Sequence, residues 1–103
     1  MAEEVTLERI QEAIRKVEHP EIAATLVDLG MVRDVAYDPT THEARLTLVV
    51  PFFGIPEAVR NYLAYSLYQA VKSVGAELKI YLAEMTEEER QAFFQKEQAL
   101  WRG

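Results

Sequence analysis

An α+β domain, with a small sheet of about three strands and helices packed on one face, is what three features of this sequence predict. Apolar residues recur at three- and four-residue spacing in two separate stretches, period-two alternation marks two further segments, and a capping box opens a last helix. Pro or Gly stands at most of the junctions. The resulting order is helix, strand, strand, helix, strand, helix. With 103 residues, 50% of them hydrophobic, the chain fits one domain over 1–103.

Thr6 caps the first helix, whose Leu7, Ile10, Ile14 and Val17 form one buried stripe. Pro20 ends it, because a residue preceding proline is pushed out of helical geometry. The segment from Thr25 to Leu29 closes on Gly30 and leaves its local structure open. A first strand then runs from Met31 to Tyr37, and Asp38-Pro39 starts a turn. In Ala44 to Val50 the residues Ala44, Leu46, Leu48 and Val50 share one face, which predicts a half-buried strand paired with the first as a hairpin.

Pro56 opens the second helix, with Val59, Leu63, Leu67, Ala70 and Val74 inward, and Gly75 supplies the left-handed stop. Glu77 to Leu82 alternates as a third strand, parallel to the second if the two share a sheet; their adjacency stays open. Thr86 and Glu89 form a capping box that starts a last helix from Glu87 to about Trp101, so residues 86–103 read as a C-terminal helical extension. Phe93, Phe94, Leu100 and Trp101 make a narrow stripe on it. That stripe covers its own domain or another subunit, its own domain being the expectation.

Composition narrows the function classes. Eleven Lys and Arg against 17 Asp and Glu give a formal net charge of −6, and Arg15-Lys16 is the only adjacent basic pair, so no nucleic-acid partner is expected. Met1-Ala2-Glu3-Glu4-Val5 lacks the basic start and apolar run of a leader, and no apolar stretch reaches a membrane span. The reading is a soluble cytoplasmic protein with no membrane partner. Zero cysteines exclude disulfides and thiolate chemistry.

The stretches His19-Pro20-Glu21, Leu26-Val27-Asp28-Leu29-Gly30-Met31-Val32-Arg33-Asp34-Val35 and Leu46-Thr47-Leu48 followed by Pro51 resemble a small iron–sulfur cluster assembly domain. It occurs in SufT-like and PaaD-like proteins and at the N-terminus of Mrp/ApbC-type ATPases. Met85 to Arg90, continuing to Trp101-Arg102-Gly103, is similar to the helix that joins this domain to the ATPase domain. No G-x-x-x-x-G-K-[ST] sequence is present, so a Walker A phosphate loop is missing. The family's Thr-Thr-Pro-x-Cys-Pro is replaced by Val49-Val50-Pro51-Phe52-Phe53-Gly54, and His19 takes the place of the family's aspartate. The resemblance implies a cluster-assembly pathway; the missing cysteine restricts the role within it.

Few residues offer chemistry of their own. His19, beside Glu18 and Glu21, joins Asp28 as a candidate nitrogen and oxygen ligand set, but four ligands are not evident and a surface histidine at a helix end is the simpler expectation. His42 belongs to a solvated turn. Ser66 and Ser73 fall within a helix, no nucleophile has a base, and no enzyme activity, cofactor or metal site is expected. Phe52, Phe53 and Ile55 either plug the gap between helix and sheet or form a docking surface, an alternative the sequence leaves open. Tyr65 points away from the Leu63 and Leu67 stripe, as an interface residue would.

These readings converge on a non-enzymatic accessory protein of iron–sulfur cluster assembly, acting through protein–protein contacts. The partner-binding set is His19, Glu21, Asp28, Phe52, Phe53, Ile55 and Tyr65, and the partner is a cluster carrier or a P-loop ATPase in trans, with homo-oligomers allowed. The alternative is a small structural or adaptor subunit of a multicomponent enzyme complex, comparable to PaaD-like proteins, with no cluster role.

Overall fold

In the computed structural model, which describes residues 4–101, six elements follow in the anticipated order. They are α1 (Leu7–Arg15), β1 (Val32–Asp38), β2 (Glu43–Val50), α2 (Glu57–Val74), β3 (Glu77–Glu84) and α3 (Glu87–Leu100). Met1-Ala2-Glu3 and Arg102-Gly103, which entered the leader and tail readings, lie outside the described residues.

The sheet has the order β1-β2-β3. β1 and β2 form the antiparallel hairpin, and β3 returns parallel beside β2, which answers the open question of adjacency. Leu46 faces Ile80 and Leu48 faces Leu82 across the parallel pair. Ala44, Leu46, Leu48 and Val50 are buried, together with Ile10 and Ile14 of α1 and Leu63, Leu67 and Val71 of α2. Each of the fully buried Leu, Ile and Val side chains contributes about 1.5–3 kcal/mol relative to exposure. The opposite face bears the exposed Arg45, Lys79 and Tyr81. Between Arg33 and Ala36 the register shifts, and Asp34 takes φ 57 there, so β1 carries a bulge.

Thr6 Oγ1 accepts from the Arg9 amide at 3.2 Å, as a cap should. The stripe of α1 is shorter than its apolar pattern. Leu7 is 40% exposed, and the helix ends at Arg15. Val17 is buried beyond that end because the chain turns back: its carbonyl accepts from the Leu26 amide at 2.9 Å, and Glu18 bridges Thr25. Gly75 ends α2 with φ 103, and Val71, outside the anticipated stripe, is fully buried. β3 runs two residues further than its alternation indicated, because Ala83 and Glu84 still pair with Val49 and Val50.

The capping box of α3 forms in full, and the Thr86 amide donating to the Glu89 carboxylate holds that carboxyl below its usual value. α3 lies over the ends of the strands. Arg90 Nε donates to the Pro51 carbonyl at 2.8 Å, Lys96 Nζ to the Asp28 carbonyl at 2.6 Å, and the Ala23 amide to the Leu100 carbonyl at 2.7 Å. Phe93 enters the core of its own domain, while Phe94, Leu100 and Trp101 stay partly exposed.

Candidate functional site

β2 and β3 finish, and β1 begins, at one end of the sheet, so three connections meet there. The β2–α2 loop is Pro51 to Pro56. Its first residue is buried and held by Arg90, the Phe53 amide donates to Glu84 Oε2 at 2.9 Å, and the Ile55 amide donates to the Phe52 carbonyl at 3.4 Å. Backbone tethers of this kind fix the loop without using its aromatic rings. Phe52 is 43% and Phe53 56% exposed, whereas Ile55 packs half-buried against the core. The plug reading therefore holds for Ile55 and fails for Phe53, while Phe52 is divided between solvent and the space beside it.

Next to them lies an apolar cavity of about 190 Å³. Phe52, Ile55, Val59 and Leu63 line it from the loop and α2, and Met31 does so from the approach to β1. Phe93, Phe94, Glu97 and Trp101 close it from the side of α3, and His19 with Glu21 from the segment before β1.

His19 requires a correction, because it is buried, 6% exposed, and no longer part of α1. The turn at Pro20 folds the chain back on itself. The His19 amide donates to the Ala24 carbonyl, and its Nδ1 accepts from the Glu21 amide at 3.0 Å. That ring therefore caps a backbone turn. His42 is exposed at φ 57 in the hairpin, with Nδ1 3.3 Å from the Tyr37 hydroxyl.

Of the residues singled out from sequence, His19, Glu21, Phe52 and Ile55 meet at the cavity, and Phe53 stands beside Phe52 on the same loop. Asp28 does not join them: its amide donates to Thr25 Oγ1 and it lines a second cavity together with Lys96 and Phe93. Tyr65 does not line the cavity either and is 63% exposed on α2. Sequence reasoning missed Met31 and Glu97 as lining residues and treated Phe93 and Trp101 only as a stripe. A usable signal was there: Phe93, Glu97 and Trp101 are four apart, one row along a helix.

The donor set does not fit an iron–sulfur cluster. Such clusters are held chiefly by thiolates, and the sequence has none. Among the described residues no three His, Asp or Glu side chains converge, and Nδ1 of His19 is occupied by the Glu21 amide. The cavity presents carbon surface, with Glu21 and Glu97 as its acidic residues.

Fold and site together define an open-sheet α+β domain with an apolar cavity where the strands end. The chain belongs to the iron–sulfur cluster assembly protein family, whose model matches residues 7–80. Among solved structures it is similar to the crystal structure of a domain of unknown function, DUF59, from Bacillus anthracis. That likeness has a TM-score of 0.59 and 22% identity over 85% of this chain and 88% of the other, and it concerns the fold. No curated protein matches the chain. Among the described residues no helix is long and apolar enough to cross a membrane.

Proposed function

We infer that this protein serves iron–sulfur cluster assembly in the cytoplasm as a non-enzymatic binding protein that recognises a partner instead of holding the cluster. One observation carries the reading: at the loop where the family resemblance places a cysteine stand two exposed phenylalanines, of which Phe52 lines an apolar cavity of about 190 Å³ and Phe53 is its neighbour in the chain. Exposed aromatics beside a pocket are what interface hot spots are made of. The volume suits one large apolar side chain, and Glu21 with Glu97 favours a Lys or Arg next to it. A cluster carrier or a P-loop ATPase in trans is the partner class, cargo ligands being supplied by that partner.

The test compares affinity capture by the wild type and by Phe53→Asp, followed by binding of the purified prey. Phe53 is 56% exposed, so the variant folds. A cluster-assembly protein held by the wild type and released by Phe53→Asp supports the reading. Retention of that protein by the variant refutes it, as does recovery of ring-oxygenation subunits alone, which would favour the adaptor alternative.

A further inference from the structure

We propose that the outer edge of β3 is a self-association surface, on which a second copy of this chain adds its own β3 antiparallel about a two-fold axis through Ile80. Among the described residues β3 has a neighbour on one side only, and its eight residues pair with β2 without a break. It contains neither proline nor bulge, two of the usual protections of an edge, and its charges are Glu77, Lys79 and Glu84. The other edge, β1, is guarded by the bulge at Asp34.

Backbone direction identifies the groups on offer. The Glu77 amide donates to His42 and the Met85 amide to Val50, both toward β2. Strand alternation then turns the amides and carbonyls of Leu78, Ile80 and Leu82 outward. Those three side chains share the helix-bearing face, and Lys79 and Tyr81 share the open one. Residues opposite each other in an antiparallel pair lie on the same face, so the register centres on a residue.

Centred on Ile80, the pairing sets Leu78 against Leu82 of the second copy, Ile80 against itself and Lys79 against Tyr81, with about six new hydrogen bonds. Lys79 Nζ already lies 5.5 Å from the Tyr81 ring within one chain, and the pairing gives it a second ring. Centred on Lys79, the two ammonium groups would oppose each other. Centred on Tyr81, Leu78 would face Glu84. A register centred on Leu78 also avoids a clash but pairs only Glu77 to Lys79 within the strand, so the Ile80 register is the one that matches apolar with apolar along most of β3 and opposes no like charges.

Exposure fits the same edge, with Leu82 and Tyr81 each 46% exposed in the single chain. On α2, Tyr68 and Lys72 bond Glu77, which places that flank of the helix over β3. Tyr65 lies about 20° around the helix from Lys72. It stands about 10 Å further along, at the level of Ile80, since β3 rises about 3.3 Å per residue and α2 runs the other way. Tyr65 therefore sits beside the two-fold axis, which accounts for an aromatic residue 63% exposed in mid-helix.

The absence of native cysteine makes the test clean. Sedimentation equilibrium should show a concentration-dependent dimer for the wild type. Leu82→Lys, exposed in the single chain, should raise the dissociation constant at least about tenfold, while at dilutions where both proteins are monomeric its melting curve matches that of the wild type. Under mild oxidation Ile80→Cys should cross-link to itself, because directly paired residues lie within disulfide reach, and Tyr81→Cys should not. Phe53→Asp should dimerise normally, which separates this surface from the partner site. A wild type that stays monomeric overturns the proposal, as does a dimer indifferent to Leu82→Lys or one trapped faster through Tyr81→Cys.

Discussion

Truncating Phe93 to alanine tests whether α3 is structurally part of the domain. Phe93 is 3% exposed and is the one buried residue of α3, and it separates two cavities, lining both. Its removal joins those spaces and also deletes an edge-on ring contact with Phe94 at 5.8 Å. Loss of a buried Phe costs about 3–5 kcal/mol, of which the ring pair supplies about 0.5–1.5. Against a total stability of about 5–15 kcal/mol the variant stays folded at room temperature with a much reduced margin. For a domain of this size the midpoint should fall by roughly 15–30 °C. Thermal circular dichroism measures this, and hydrogen exchange over 87–100 shows where it acts: apart from Phe93, α3 is held by a few hydrogen bonds from Arg90, Lys96 and Leu100, so that helix should open first. Phe93→Leu, which keeps most of the volume, should recover most of the loss. A fall below about 4 °C would mean that Phe93 carries less than about 1 kcal/mol, and α3 would then be an appendage.

Anaerobic incubation with iron and sulfide should leave the purified chain without a stoichiometric visible absorbance after desalting, since no thiolate is available to hold the irons. A brown, desalting-resistant product would refute the role assigned to the cavity. The capping carboxylate gives a pH signature. Glu89 has its folded value lowered from 4.5 by the Thr86 amide, so its contribution is complete above 4.5 and lost as pH falls through the folded value. Melting midpoints of wild type and Glu89→Gln should differ at neutral pH and converge in acid. Lys72 has the opposite sign: the Glu77 carboxylate raises it above 10.5, so its contribution holds below that value and fades as alkali carries pH through the folded one. Lys72→Met should therefore differ from wild type near neutrality and match it in strong alkali.

The fold was legible where one residue type can do only one thing. Gly75 at φ 103, the Thr86 and Glu89 box and the alternation of Ala44 to Val50 each specify a local conformation through sterics or hydrogen bonding. Longer-range facts were not written locally. The adjacency of β3 and β2 comes from the crossover through α2, and the bulge at Asp34 from the fit of β1 against β2. His19 shows the limit most plainly. As a polar residue after a helix it reads as solvated, and only the return of Leu26 to the Val17 carbonyl encloses it.

The loop explains why half of the site could be read and half could not. Sequence located Phe52 and Phe53 by their place after β2, but whether an aromatic ring is core or surface depends on how its backbone is tied. Here Pro51 is anchored to Arg90, and the Phe53 amide to Glu84. With the main chain fixed from outside the ring, nothing draws either phenylalanine inward, and the space behind them is filled from α2 and α3 by Leu63 and Phe93. Leu63, Phe93 and the buried Met31 line the cavity that remains between these elements. Keeping two solvent-facing rings costs solubility unless a partner covers them. With the carbon-lined pocket beside Phe52, they are the basis of the proposed partner site.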